Sequence, residues 1–139
     1  MNKFTNSEEE TILFAENFAR NLKSGDVVLL SGELGSGKTT FIKGIARAIG
    51  IDQDEIKSPS FVIMNLYEGR IPLYHFDLYR LENNEDINDL GFEEFFESGG
   101  ISVIEWAERS KDIISNRSFR VVLDYSGDNT RKITITRIK

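Results

Sequence analysis

Val27-Val28-Leu29-Leu30-Ser31-Gly32-Glu33-Leu34-Gly35-Ser36-Gly37-Lys38-Thr39-Thr40 is the stretch that decides the fold. It opens on a continuous apolar run, β-branched at its start, the pattern of a central strand buried on both faces. From Gly32 to Thr39 it then matches G-x-x-x-x-G-K-[ST] without substitution. The glycines let backbone N–H groups turn inward and approach phosphate oxygens without a Cβ in the way. Lys38 supplies a flexible ammonium for the β- and γ-phosphates, and Thr39 a hydroxyl for Mg²⁺. The helix that follows, expected from Lys38 to Ile49 with Gly50 as its C′ residue, adds an N-terminal dipole and unsatisfied amides that favour an anion. A strand before the loop and a helix after it are the context this pattern requires. A glycine-rich turn with an incidental lysine is the weaker reading.

Working outward, Ser7 followed by Glu10 forms a capping-box signature and predicts a helix over 8–23. Phe14, Phe18 and Leu22 recur at i+4 as its buried stripe, and Ser24-Gly25-Asp26 stops it. Downstream, Phe61 to Tyr67 and Ile71 to Tyr79 flank Glu68-Gly69-Arg70 and predict a β-hairpin. The acidic segment from Glu82 to Glu97 predicts one or two short helices broken at Gly91. Ile101-Ser102-Val103-Ile104 predicts another core strand, and Ala107 to Ser115 a short helix. Phe119 to Tyr125 and Lys132 to Ile138 predict a terminal antiparallel pair around Ser126-Gly127-Asp128-Asn129. The sum is an α/β fold: a P-loop NTPase-like mixed β-sheet flanked by helices, with two antiparallel hairpins. With no repeat or low-complexity linker, residues 1–139 are expected to form a single P-loop domain.

Composition narrows the classes. There is no cysteine and only one histidine, which excludes disulfides, thiolate metal sites and multi-histidine zinc sites. Met1-Asn2-Lys3-Phe4-Thr5 lacks the charged and apolar regions of a signal peptide, and no apolar run approaches a bilayer span, so the cytoplasm is the expected compartment. The formal net charge of −6 disfavours autonomous binding to a phosphate backbone, so neither DNA nor a membrane is an expected partner. The basic residues thicken late, at Arg117, Arg120, Arg131, Lys132, Arg137 and Lys139; a solvated edge is the simpler reading and a docking patch the sharper one.

A phosphate loop that hydrolyses its ligand needs a second magnesium contact and a group to orient water. In Tyr74-His75-Phe76-Asp77-Leu78-Tyr79-Arg80, strand alternation puts Tyr74, Phe76 and Leu78 on one face and His75, Asp77 and Tyr79 on the other. Asp77 is the better functional candidate of the pair; for His75 a catalytic and a structural role stand level. Glu105 ends the apolar run Ile101 to Ile104. Buried and unpaired it would cost several kcal/mol on the order expected for an isolated charge, and Mg²⁺ or its bound water would pair it. A glutamate that simply reaches solvent is the alternative. Trp106 is expected to pack in the core rather than to stack on a base.

Taken together, Gly32 to Thr40, Ser58-Pro59-Ser60-Phe61, His75 to Arg80 and Ile104-Glu105-Trp106 resemble the bacterial TsaE (YjeE) family, over about Thr11 to Arg131. The resemblance implies an ATPase that takes part in making threonylcarbamoyladenosine beside the anticodon of tRNA. It implies TsaB and TsaD as partners, tRNA reached only through that complex, and ATP with Mg²⁺ as cofactors. It implies Gly32, Glu33, Leu34, Gly35, Ser36, Gly37, Lys38, Thr39 and Thr40 as the nucleotide-binding loop and Thr39 and Glu105 as magnesium contacts. It further implies Lys38, Asp77 and Glu105 as the catalytic set, with Asp77 in a switch-like segment, and Thr11, Glu108 and Arg131 near the nucleotide. Two departures stand out: Ser60 where the family usually has threonine, and Ala107 where it usually has proline.

Two other readings compete. A small metabolite or nucleoside kinase also pairs a phosphate loop with a strand-end acid, but it needs a lid bearing arginines, for which Arg80 and Arg109 are the central candidates. Phosphorylation of a small acceptor would favour it; slow hydrolysis stimulated by protein partners would favour the ATPase. A nucleotide-gated binding module that never turns over is disfavoured by Ser60, Asp77 and Glu105, more polar groups than binding needs. No guanine-reading N-K-x-D motif is present.

Overall fold

In the computed structural model, residues 1–33, 36–57, 64–78, 91–106, 117–127 and 129–138 are described, Phe92 by its backbone alone. The strands are β1 (Asn2–Thr5), β2 (Val27–Gly32), β3 (Met64–Glu68), β4 (Pro72–Asp77), β5 (Ile101–Glu105), β6 (Ser118–Tyr125) and β7 (Arg131–Arg137). The helices are α1 (Glu8–Ala19), α2 (Lys38–Ala48) and α3 (Phe92–Phe96). All seven strands join one sheet in the order β1-β7-β6-β2-β5-β4-β3. The inner four, β6, β2, β5 and β4, run parallel, and the antiparallel pairs β1–β7, β6–β7 and β3–β4 lie at the two edges. The mixed sheet with its β3–β4 and β6–β7 hairpins is the architecture expected from the sequence.

β2 is central because Val27, Val28, Leu29 and Leu30 are all buried, with β5 on one side and β6 on the other. Val28 and Leu30 pack with Phe41, Ile42 and Ile45 of α2 and with Ala15 and Ala19 of α1. On the opposite face Val27 and Leu29 pack with Tyr74, Phe76, Leu78, Phe96 and Ile104. The alternation read from β4 is therefore real: Leu73 joins the α1–α2 face while Tyr74, Phe76 and Leu78 join the α3 face.

Helix ends follow their local chemistry. The Ser7 hydroxyl accepts from the Glu10 N–H at 3.1 Å, capping α1. The helix stops at Ala19 rather than running to Lys23, and its closest-packed stripe is Thr11, Ile12, Ala15 and Ala19. Small residues win there because α1 crosses α2 at Gly44, where a Cβ would meet the Ile12 carbonyl at 2.4 Å and the Ala15 Cβ at 2.5 Å. Phe14, Phe18 and Leu22 flank that contact, half-buried against the same core. α2 ends as expected: Gly50 has φ +82°, Ile51 N–H donates to Ala46 O and Gly50 N–H to Arg47 O, a Schellman closure.

β1 is not foreseen in the sequence. It pairs antiparallel with β7, opposing Thr5 to Arg131, and its outer position leaves Phe4 exposed. The expected helix over 107–115 and the N-terminal part of the acidic segment lie outside the described residues. Among the described residues no helix is long and apolar enough to cross a membrane.

Candidate functional site

The parallel strands β2, β5 and β4 end together, and their carboxyl ends are where open α/β sheets place ligands. Register fixes who meets there. Leu30 opposes Glu105 across β2–β5, and Asp77 opposes Glu105 across β4–β5. Beyond Leu30 the chain passes Ser31 and Gly32 into the loop, and Ser36 and Gly37 lead into the start of α2. The loop, Glu105 and Asp77 are thus brought to one edge by strand register alone.

Two loop glycines are dictated by geometry. Gly37 caps α2 with φ +101°, and a Cβ there would meet Arg131 Nε at 2.7 Å. Gly32 has φ +154°, and a Cβ would meet Ser36 Oγ at 2.5 Å and the Leu123 carbonyl at 2.7 Å. Both residues combine a backbone that L side chains rarely adopt with a close neighbour. Leu34 and Gly35 lie outside the described residues.

Lys38 is the first residue of α2 and only 7% exposed. Its ammonium donates to the Gly32 carbonyl at 2.6 Å and lies 3.6 Å from the centroid of the Trp106 ring. Trp106 takes φ +61°, an uncommon conformation for a bulky residue, directly after Glu105. It packs half-buried against the α3-side core, as expected, but it also forms a cation–π floor for Lys38, which the sequence reading lacks. No local sequence signal marks that role, because it depends on the left-handed backbone of Trp106.

Arg131, expected near the nucleotide, is 8% exposed and reaches the loop from β7. Its Nε donates to the Ser36 carbonyl at 3.1 Å, and one terminal nitrogen donates to the Asn129 carbonyl at 3.0 Å. It braces the loop from outside. Thr11 is fully buried; its hydroxyl meets that of Thr5 at 2.7 Å and donates to the Ser7 carbonyl at 3.2 Å. Those bonds place Thr11 beside β1, and Thr5 in turn opposes Arg131. Thr39 and Thr40 are half-buried on the first turn of α2, and Glu33 is exposed. Ser58, Pro59, Ser60, Tyr79, Arg80, Ala107, Glu108 and Arg109 lie outside the described residues.

His75 is fully buried, and its Nε2 lies 2.5 Å from Glu105 Oε2. Glu105 itself is 4% exposed, so the strand-end acid does not reach solvent.

These residues suit a polyanion with a divalent cation. Ser36 Oγ is buried with no hydrogen-bond partner, an orphaned polar group inside the loop. The Lys38 ammonium is already desolvated, and two carboxylates stand opposite in register. A hydroxyl on the first turn of α2 and a strand-end carboxylate are the hard oxygen donors that Mg²⁺ prefers beside phosphate and water. Among the described residues no group of three or more histidines, cysteines or carboxylates could by itself hold a metal ion. A separate cavity of about 430 Å³ opens between α1 and the β6–β7 edge, lined by Phe14, Phe18, Phe119, Arg117 and Arg137 among others, and includes no loop residue.

Comparison with known proteins gives a consistent result. Residues 5–133 match the family model described as threonylcarbamoyl adenosine biosynthesis protein TsaE. The chain is 40% identical over 135 residues to the tRNA threonylcarbamoyladenosine biosynthesis protein TsaE of Bacillus subtilis, covering 96% of this chain and 84% of that one. It is 40% identical over 129 residues to the protein of the same name from Treponema pallidum, covering 93% and 95%. Its fold superimposes on the crystal structure of Bacillus subtilis YdiB with a TM-score of 0.81 at 35% identity, covering 100% of this chain and 86% of that chain.

Proposed function

The chain belongs to the family of TsaE threonylcarbamoyl adenosine biosynthesis proteins, and from that membership we propose that it is a cytoplasmic ATPase serving the threonylcarbamoyladenosine modification of tRNA. In this reading it binds and hydrolyses MgATP to drive or reset a complex of TsaB and TsaD, and it meets tRNA only through that complex. The observation that carries the ATPase reading is the convergence, at one sheet edge, of the Lys38 loop with Asp77 and Glu105 in adjacent register.

Each residue has a part. The loop amides and the α2 N-terminus hold the phosphates, and Lys38 exchanges the Gly32 carbonyl for β- and γ-phosphate oxygens. Thr39 and Glu105 would hold Mg²⁺, directly or through its water, and the bound ion supplies charge neutralisation for the transferring phosphoryl group. Asp77 orients the attacking water, whose oxygen bonds to the γ-phosphorus as the β–γ bridge breaks, giving ADP and phosphate. Preorganisation is the main lever. Lys38 and Glu105 are already out of water, so no solvent shell has to be rearranged when charge develops.

The acidic chain suits this division of labour, because a net charge of −6 opposes a direct tRNA contact. The test is ATP hydrolysis by the purified protein with and without TsaB and TsaD, run beside Lys38→Ala. Slow turnover raised by the partners and lost in K38A is expected. Undiminished ATP affinity and rate in K38A would refute the ATPase assignment, and tight tRNA binding by the chain alone at physiological salt would refute the indirect contact.

A further inference from the structure

β4 and β5 are parallel, with His75 opposite Val103 and Asp77 opposite Glu105. His75 and Glu105 are therefore diagonal neighbours on one face, a separation that two long side chains can bridge. They do so, Nε2 to Oε2 at 2.5 Å, with the histidine side chain fully buried and the glutamate side chain 5% exposed. His75 Nδ1 is buried and has no hydrogen-bond partner. The tautomer follows from that asymmetry. A proton on Nδ1 would be an unpaired buried donor, whereas a proton on Nε2 is donated to the carboxylate and leaves only an unpaired acceptor.

As a stabilising device the pair is a poor choice, since apolar residues of similar volume would fill the same space without desolvating two polar groups. Its value lies in orientation. We propose that His75 is a positioning residue for Glu105: it fixes Oε2 so that Oε1 is the oxygen left to meet Mg²⁺ or its bound water. This rests on the ATPase reading and assigns the histidine a place in it. Partners of this kind typically change metal affinity 10- to 100-fold when removed.

The experiment compares His75→Asn with His75→Gln, because the glutamine amide reaches about as far as Nε2 and the asparagine amide falls short. ADP affinity is measured by calorimetry in EDTA and across a Mg²⁺ titration, with urea midpoints recorded for each variant. In EDTA all three proteins should bind ADP alike. The Mg²⁺ concentration that gives the half-maximal gain in affinity should rise about 10-fold in H75N and return to within about 3-fold of wild type in H75Q. In a Glu105→Ala background H75N should change nothing further. Equal Mg²⁺ dependence in H75N and wild type, equal defects in H75N and H75Q, or loss of ADP binding in EDTA would each overturn the assignment. Should H75N not fold, H75Q alone decides it, since a 10-fold loss there is incompatible with a preserved contact. A wild-type protein that binds no ADP in EDTA would instead remove the ATPase reading on which this stands.

Discussion

Gly37→Ala tests whether Arg131 braces the phosphate loop by contact. Two penalties are separable in the structure. The first is conformational: φ +101° is left-handed, and an alanine held there costs about 1–2 kcal/mol. The second is steric: the new Cβ would sit 2.7 Å from Arg131 Nε and 3.0 Å from its Cδ. Because that Nε is donating to the Ser36 carbonyl at 3.1 Å, moving it aside weakens a charge-assisted bond of about 1.5–3 kcal/mol. G37A should therefore destabilise the protein by about 2–5 kcal/mol, a large share of the 5–15 kcal/mol that roughly bounds a domain of this size. In an Arg131→Ala background the second penalty disappears and only the conformational one remains. The four proteins are compared by urea denaturation as a double-mutant cycle, and a coupling of about 1–3 kcal/mol, the steric share of the cost, is expected. If G37A costs the same within about 0.5 kcal/mol in both backgrounds, the arginine does not hold the loop through this contact.

Three further outcomes follow. Lys38→Ala should lower ATP turnover at least about 100-fold, the scale of removing one preorganised charge partner; single-turnover kinetics at saturating MgATP measures it. Asp77→Asn and Glu105→Gln should reduce turnover far more than ADP affinity measured in EDTA, and equal losses in both would contradict their catalytic placing. Thr11→Val should cost about 1–3 kcal/mol in urea denaturation by orphaning the buried Thr5 hydroxyl, and Thr5→Val combined with Thr11→Val should recover most of it. An unchanged midpoint in Thr11→Val would mean that the hydroxyl pair is not structural.

Much of the fold was legible because its signals are local. The run Val27 to Leu30 carries its own burial on both faces, Ser7 caps its own helix, and Gly50 closes α2. The backbone of the candidate site was legible for a similar reason: a loop glycine such as Gly32 or Gly37 states its conformational requirement in the residue type. What escaped is set by partners far away in the chain. Nothing in Asn2 to Thr5 announces a strand, since that segment is mostly exposed and owes its pairing to β7. Periodicity points to Phe14, Phe18 and Leu22, which do pack half-buried on the core, but it cannot show that α2 offers a glycine that draws Ile12, Ala15 and Ala19 closer. From the sequence Trp106 reads as packing alone, because its left-handed backbone, which carries the ring beneath Lys38, has no local sequence mark.

The missed strand bears on the site itself. Thr5 opposes Arg131 on β7, and Arg131 holds the Ser36 carbonyl across a separation of 95 residues. Thr5 also holds the hydroxyl of Thr11, whose helix packs on α2 at Gly44. The loop is thus anchored twice, by covalent continuity into α2 and by a cation reaching in from β7, two strands away in the sheet. A guanidinium at that place performs two tasks with one charge. It satisfies the buried Ser36 carbonyl, and it adds positive potential beside the loop in a chain that is acidic overall. A hydrophobic strut would perform neither. For that reason Arg131→Met, which keeps much of the side-chain volume, should weaken ADP binding in EDTA about 5-fold, the equivalent of one ordinary hydrogen bond of about 1 kcal/mol. Calorimetry decides it: unchanged ADP affinity in R131M would reduce the arginine to packing.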